Sequence, residues 1–279
     1  MSVITFWNNG KEQTGKTLSI AAITTQMSIE HNYKILVIST GHKDTTLDRC
    51  FWEEKRKKKN RGLFGPNTNT AMEDGIVGIE TIMRSGKLQP ENITNYTKIV
   101  FKDRLEILPS FKGEKLEYEE IKQNYPEIIN LANRYYDLVF VDLDAELGEA
   151  ITEQILQNSN LVIANLSQRL VSINKFMELR EEQPMFNSKK ILLLINRYDK
   201  FSKYTIKNIT RYMGEKNKVL TIPYNTLFFE ACEEAKVPDL FLRLRRSSDE
   251  EDRNYIFIQE VKRASDAIIY RLQDLAMKM

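Results

Sequence analysis

The chain has 279 residues, of which 42% are hydrophobic and 29% are charged, and its formal net charge at pH 7 is +2. This composition excludes a disordered acidic protein, and the balance of charges excludes a uniformly basic nucleic-acid binder. Cys50 and Cys232 lie far apart in the sequence, which predicts buried, inert thiols. The sequence contains no run of about 18 apolar residues, so no membrane span is predicted. We therefore expect one cytoplasmic domain over residues 1–279, since no Pro/Gly/Ser-rich linker divides the chain.

A phosphate-binding motif lies near the N-terminus. Residues 10–17 read GKEQTGKT and fit the pattern G-x-x-x-x-G-K-[ST] at every constrained position. Gly10 and Gly15 permit a tight turn in which backbone N–H groups, including that of Thr14, point at phosphate oxygens. In such a loop Lys16 reaches the β and γ phosphates, and the Thr17 hydroxyl ligates Mg²⁺. The motif predicts a nucleotide site with ATP and Mg²⁺ as cofactors.

The sequence around this motif predicts alternating strands and helices. Residues 3–6 are typical of a short buried strand, and residues 17–30 carry the apolar spacing of a helix. A helix that begins there directs its partial positive charge at the anion site. Residues 34–38 then form a β-branched apolar run, typical of a parallel strand buried on both faces. The polar loop 39–48 follows the end of that strand, where open α/β sheets bind ligands.

A basic stretch interrupts this alternation. The run from Lys55 to Lys59 reads KRKKK and is followed by glycines, which predicts a mobile excursion that could contact a DNA backbone or an anionic membrane. A solvated charged loop accounts for the same residues, because no aromatic residues interleave to stack bases. Both hypotheses stay open. A helix from about Thr70 to Arg84 and a strand at residues 105–109 are expected next.

A second motif, which contains an acidic residue, follows a helix predicted over residues 126–135. Residues 136–142 read YDLVFVD, an apolar strand that ends on an acid. In P-loop proteins a carboxylate at the end of a strand beside the phosphate loop holds Mg²⁺. Asp142 therefore joins Thr17 as a predicted metal ligand. Asp144 is a further acid for which the sequence suggests no role.

The remaining chain repeats the alternation. Strand-like runs at residues 161–164, 191–195 and 219–222 are separated by helix-like sequence, which predicts a doubly wound, mostly parallel α/β sheet with helices on both faces. A closing helix is predicted from apolar residues at three- and four-residue spacing between residues 257 and 279. Ser247 and Ser248 each precede a glutamate by three residues and predict its capping box.

Four places make nearly the whole chain resemble the ParA/MinD group of deviant Walker A ATPases. Lys11 follows the first loop glycine, as that family's extra lysine does, although Glu12 and Gln13 depart from the small residues usual there. The loop containing Leu47-Asp48 resembles the first switch, and residues 136–142 resemble the Walker B strand. The sequences NRY at 196–198 and IPYN at 222–225 are similar to the elements that surround adenine.

The resemblance implies a MgATP-dependent switch ATPase that positions or recruits a cellular assembly such as DNA, division proteins or pilus machinery. It implies a homodimer in the ATP state, in which Lys11 reaches the ATP of the partner subunit, and a protein partner of unknown identity. By resemblance Asn196 hydrogen-bonds the base, and the backbone around Pro223 packs against it.

One departure concerns hydrolysis. Family members usually place aspartates at the positions of Ser39 and Gly41, and the second helps position the attacking water. Neither residue here can do so, which predicts a slow ATPase. In this departure the chain is similar to the pilus-localising TadZ/CpaE-like branch. Asp44 could be brought in by a different loop course, so the expected catalytic residues are Lys11, Lys16 and Asp44.

Two other functions are alternatives to the switch ATPase. The main alternative is a nucleotide-binding scaffold with little or no ATP turnover, which a measurement of phosphate release separates from an ATPase. A metabolic P-loop kinase or ligase would need a substrate site with its own arginine or acid cluster near Asp142, and the sequence shows none.

Overall fold

A computed structural model describes residues 1–10, 12–53, 75–215 and 217–278. Lys11, the run Lys55–Lys59 and the first residues of the helix expected from Thr70 lie outside the described residues. The strands are β1 (Ser2–Trp7), β2 (Ile35–Ser39), β3 (Lys98–Phe101), β4 (Leu105–Leu108), β5 (Leu138–Asp142), β6 (Leu161–Ser167), β7 (Ile191–Tyr198) and β8 (Leu220–Pro223).

The helices alternate with these strands for most of the chain. They are α1 (Lys16–Glu30), α2 (Thr46–Arg49), α3 (Ile76–Arg84), α4 (Lys115–Ile121), α5 (Tyr125–Ala132), α6 (Glu149–Asn158), α7 (Leu170–Glu182), α8 (Ile206–Met213), α9 (Thr226–Glu233), α10 (Val237–Leu244) and α11 (Arg253–Ala276). None of the helices described here has the length and apolar character needed to cross a bilayer.

The strands form one sheet in the order β3-β4-β2-β5-β1-β6-β7-β8. All neighbouring strands are parallel except the edge pair of β3 and β4. Helices α1, α2 and α9–α11 pack on one face of the sheet, and α3–α8 pack on the other. The doubly wound, mostly parallel α/β fold predicted from the alternation is therefore confirmed.

Two elements differ from the sequence expectations. Strand β3 was not predicted, because it lies at the sheet edge, where Ile99 is 57% exposed, and it lacks a continuous buried apolar run. The capping box predicted at Ser247 and Ser248 is wrong. Helix α11 begins at Arg253, and its cap is Asp252, whose carboxylate accepts a hydrogen bond from the Asn254 N–H at 3.0 Å. Aspartate is as good an N-cap as serine, so the choice depends on where the preceding turn ends.

The two cysteines, which are 182 positions apart in sequence, come together because Cys232 on α9 lies beside Cys50, the residue after α2. Both are buried, and a side-chain contact with Cys232 is the main reason that the pKa of the Cys50 thiol is raised, with burial adding to it. Both effects favour the neutral thiol of Cys50. The expected burial of both side chains is confirmed.

A buried carboxylate anchors the antiparallel edge of the sheet. Glu106 on β4 is 5% exposed, and its Oε2 accepts hydrogen bonds from the hydroxyls of Tyr136 and Thr97, each at 2.6 Å. Burial, with the Glu106 contact adding to it, raises the pKa of Tyr136, so this hydroxyl stays a donor at neutral pH. The Tyr136 bond connects the β3–β4 hairpin to the segment that leads into β5, and the Thr97 bond connects the residue before β3 to β4.

We expect Tyr136→Phe to lower the free energy of unfolding by about 1–3 kcal/mol, because Glu106 then keeps its burial but loses a donor. Tyr135→Phe is the matched control. That ring lies 3.8 Å from the Lys34 ammonium, and its substitution should stay within about 0.5 kcal/mol of the parent. Urea denaturation measures both variants, and equal midpoints for the parent and Tyr136→Phe would contradict the prediction.

Candidate functional site

The phosphate loop connects the end of β1 to the start of α1. Gly10 and Gly15 both have left-handed backbone, with φ of 62° and 85°, a conformation that glycine adopts without strain. The Asn8 side-chain amide donates to the carbonyl oxygens of Gly10 at 3.1 Å and Glu12 at 2.8 Å. The two glycines of the motif are thus required by the course of the loop, and Asn8 fixes that course from one side.

Glu12 connects the phosphate loop to a neighbouring strand and helix. Its carboxylate accepts hydrogen bonds from the hydroxyls of Ser167 at 2.9 Å and Ser172 at 2.8 Å. Ser167 ends β6 and Ser172 lies in the first turn of α7. A small side chain at position 12 could not reach either hydroxyl, which gives a structural reason for the departure from the family pattern at this position.

Lys16 and Thr17 both contact Asp142, the last residue of β5. The Lys16 Nζ lies 2.9 Å from Asp142 Oδ1 as an ion pair that is not aligned as a hydrogen bond, and it donates to the carbonyl of Leu143. The Thr17 hydroxyl donates to Asp142 Oδ2 at 2.7 Å. Asp142 pairs with Phe6 in the parallel register of β5 and β1, so the strand pairing brings the predicted metal ligands Thr17 and Asp142 together.

A cavity of 490 Å³ opens over this loop, and its size is within the roughly 300–1,000 Å³ of small-molecule sites. The Thr14 hydroxyl is buried and has no hydrogen-bond partner among the described residues. The cavity lining includes Lys16, Thr17 and Arg197. A cation, a hydroxyl donor and left-handed glycines at a helix N-terminus suit a phosphate chain, and the hydroxyl–carboxylate pair of Thr17 and Asp142 suits Mg²⁺.

A narrow cleft of 40 Å³ adjoins this cavity and contains both residues predicted to surround the base. Asn196 lies two residues before the end of β7, and Pro223 ends β8. The Asn196 amide donates to Asn165 Oδ1 at 2.9 Å, whereas its own Oδ1 is buried without a hydrogen-bond partner in the described chain. That oxygen is an unpartnered acceptor, which the amino group of a base such as adenine could satisfy.

Two acids lie beside the glycine of the first switch. A Cβ placed on Gly41 would stand 3.2 Å from the Cβ of Asp44 and 3.4 Å from Oδ2 of Asp144. Both aspartates line the cavity that holds Lys16. Asp44 also accepts a hydrogen bond at 2.9 Å from the N–H of Thr46, the first residue of α2. The sequence suggested no role for Asp144, because no local pattern shows that β2 and β5 are neighbours in the sheet.

Comparisons with known proteins identify the fold. No protein-family model and no curated protein matches the chain. A ParA family ATPase from Chlorobium tepidum TLS is 16% identical and superposes with a TM-score of 0.67, covering 88% of this chain and 94% of that one. The septum site-determining protein MinD from Pyrococcus horikoshii OT3, complexed with Mg-ADP, is 15% identical, with a TM-score of 0.62 and coverage of 97% and 98%.

A third similar structure carries an ATP analogue. The putative plasmid partition protein from Borrelia burgdorferi B31, bound to AMPPNP, is 17% identical, with a TM-score of 0.56 and coverage of 99% of this chain and 98% of that one. The predicted resemblance to ParA/MinD proteins is therefore confirmed for the fold. Identities this low establish a shared fold, and the activity has to be argued from the site.

The contacts of Glu12 lead to a test of the loop. Glu12→Ala should lower the free energy of unfolding by about 1.5–3 kcal/mol, because two hydrogen bonds to a charged acceptor are lost. It should also speed amide hydrogen exchange in residues 8–16. Gln13→Ala is the matched control, since Gln13 is the exposed neighbour in the same loop. Exchange as slow in Glu12→Ala as in the parent would show that Glu12 does not fix the loop.

Proposed function

We propose that this chain is a member of the ParA/MinD group and works as a MgATP-dependent switch ATPase that positions or recruits another cellular assembly. The observation that carries the proposal is the meeting of Lys16 and Thr17 with Asp142 at the head of the phosphate loop. The fold shared with a ParA family ATPase and with MinD supports it.

The residues around the cavity divide the work of nucleotide binding. The loop N–H groups from Gly10 to Thr17 and the Lys16 ammonium would bind the β and γ phosphates. Thr17 and Asp142 would hold Mg²⁺, which supplies neutralisation of phosphate charge when it is bound. Asn196 and the backbone at Pro223 would take the base, and the unpartnered Oδ1 of Asn196 could accept a hydrogen bond from the amino group of adenine. The neighbours solved with Mg-ADP and AMPPNP support both cofactors.

Nucleotide binding requires Lys16 to change partners. Its ammonium pairs with Asp142 and with the Leu143 carbonyl, and phosphate oxygens would compete for the same charge. An exchange of these contacts frees the carboxylate of Asp142 to face the metal. The end of β5 thereby responds to the nucleotide, which is what a switch needs.

The hydrolysis rate separates the ATPase from the alternative of a scaffold without turnover. Because Ser39 and Gly41 replace the switch aspartates, we expect turnover well below once per minute without a partner, which corresponds to a barrier of roughly 20 kcal/mol or more. Asp44 and Asp144 are the acids beside Gly41 that could support it. The scaffold function would fit a protein that binds ATP and releases no phosphate.

The cellular assembly that the proposed ATPase positions can be named only by its class. The plasmid partition neighbour supports a DNA-partitioning role, with the run Lys55–Lys59 as a low-salt contact to a polyanion. The altered switch favours the pilus-localising TadZ/CpaE-like branch. Both roles use the same ATP-dependent homodimer, in which Lys11 would act across the subunit interface because Lys16 already serves the local phosphates.

The proposal predicts that Lys16→Ala abolishes ATP binding. The loss of a charge-assisted hydrogen bond costs about 1.5–3 kcal/mol, which corresponds to at least a roughly tenfold weaker affinity. Lys200→Ala, at an exposed lysine after β7, is the control and should bind ATP as the parent does. Calorimetry with MgATP measures all three proteins, with a thermal melt to verify folding. An unchanged affinity of Lys16→Ala for ATP would show that Lys16 does not bind the nucleotide.

Lys11→Ala tests the role across the dimer. This variant should keep most of the affinity for ATP and lose ATP-dependent dimerisation, because the charge of Lys11 would act on the nucleotide of the partner subunit. Light scattering with a slowly hydrolysed ATP analogue measures the molecular mass, and Lys16→Ala serves as the monomeric control. If Lys11→Ala dimerises as readily as the parent, Lys11 is an ordinary loop lysine.

A further inference from the structure

Asp144 is held rigidly by the residue that follows strand β2. Thr40 is fully buried; its hydroxyl donates to the Asp142 carbonyl at 3.0 Å and accepts from the Asp144 N–H at 2.8 Å. The Thr40 N–H also donates to the Asp142 carbonyl, at 3.2 Å, and the Tyr118 hydroxyl donates to the Thr40 carbonyl at 2.7 Å. These bonds fix the backbone of residue 144 to the ends of two central strands.

The two oxygens of the Asp144 carboxylate have different surroundings. Oδ1 accepts a hydrogen bond from the Glu146 N–H at 2.7 Å and thereby caps the short 3₁₀ helix Ala145–Leu147. Oδ2 has no hydrogen-bond donor among the described residues and lies 3.4 Å from the point where a Cβ on Gly41 would stand. One oxygen therefore orients the carboxylate, and the other lies where a side chain at position 41 would begin.

Asp144 also lies beside the phosphate-binding lysine. It directly follows Leu143, whose carbonyl accepts the hydrogen bond from Lys16 Nζ, and it lines the same cavity as Lys16 and Thr17. A carboxylate in this place, next to a phosphate site and with one oxygen available, can accept a hydrogen bond from a water. It cannot ligate the phosphates themselves, because their charge has the same sign.

We infer that Asp144 is the catalytic carboxylate that positions the attacking water, in place of the side chain that Gly41 lacks. The inference rests on the ATPase activity proposed above. The water oxygen forms a bond to the γ phosphorus while the bond from that phosphorus to the bridging oxygen of ADP breaks, and the bridging oxygen keeps the electron pair. Asp144 accepts a hydrogen bond from the water and aims its lone pair, and the proton lost by the water leaves with the phosphate product.

Asp44 is the competing acid, and the geometry favours Asp144. The Cβ of Asp44 lies 3.2 Å from the Cβ position of Gly41, but this residue stands in the loop before α2 and its carboxylate accepts from the Thr46 N–H. Asp144 lies two residues beyond Asp142 and is bonded to a buried threonine. The backbone of Asp44 is tied in a similar way, because the buried Ser110 hydroxyl donates to its carbonyl. What distinguishes Asp144 is that it directly follows Leu143, whose carbonyl accepts a hydrogen bond from Lys16 Nζ.

The test compares Asp144→Asn and Asp144→Ser with the parent. Both replacements keep an acceptor for the Glu146 N–H, so the 3₁₀ helix keeps its cap. We expect phosphate release to fall about 100-fold, the loss expected when the reacting water is no longer held in position, with ATP affinity unchanged. Glu149→Gln is the matched control, because this exposed carboxylate is five positions away at the start of α6 and should leave the rate at the parental value.

A rescue variant separates catalysis from a structural role. Gly41 does not have a left-handed backbone, so an aspartate there is not strained by its φ. The Asp144→Ser background removes the 3.4 Å contact with Oδ2, and the remaining 3.2 Å contact with the Cβ of Asp44 requires a shift of a few tenths of an ångström. In this background Gly41→Asp should restore much of the lost phosphate release. If the role of Asp144 were purely structural, an acid in the loop after β2 would not restore the rate.

The outcomes distinguish this inference from the proposed function. A parent protein that binds no MgATP overturns both. A parent that binds ATP without releasing phosphate, or Asp144 variants that keep the parental rate while Asp44→Asn loses it, overturns the role of Asp144 and leaves nucleotide binding intact. Thermal melts accompany each variant, and unfolding of both Asp144 variants would also contradict the inference, since it requires folded proteins that still bind ATP.

Discussion

The candidate site depends on the parallel pairing of β1 with β5. That register places Asp142 beside Phe6, and β1 leads directly into the phosphate loop, so Lys16 and Thr17 meet a carboxylate from a strand more than 120 residues further along the chain. The pairing of β2 with β5 sets Ser39 opposite Asp142. Three strands therefore end at one point, and each delivers a different chemical group to it.

The start of α1 and the turns at Gly10 and Gly15 were predicted correctly, because local geometry decides them. The glycines of the phosphate loop, the lysine and the threonine follow from a motif of eight residues, since a helix N-terminus and left-handed turns are decided by neighbours in sequence. Buried strands such as β2 and β5 were also predicted, because parallel strands covered on both faces are nearly continuous apolar runs. The ATP-binding roles of Asn196 and Pro223 came from the family resemblance, and the structure describes where these residues lie.

Contacts between distant segments could not be predicted. The serines that bind Glu12 are 155 and 160 positions away, and no local pattern links them to the loop. Likewise, Asp144 approaches Gly41 only because β2 and β5 are neighbours in the sheet. The sequence left the acid without a role for this reason, and it treated the glycine as a simple loss of a carboxylate.

Glu12 connects the phosphate loop directly to the first turn of α7 through its hydrogen bond with Ser172. Leu170 and Val171, directly before Ser172, are 38% and 56% exposed. A protein that docked on these apolar side chains and displaced the first turn of α7 would break or reorient a charge-assisted hydrogen bond to residue 12. A change at this surface would then reach the phosphate loop through the hydrogen bond between Ser172 and Glu12, without any contact to the nucleotide.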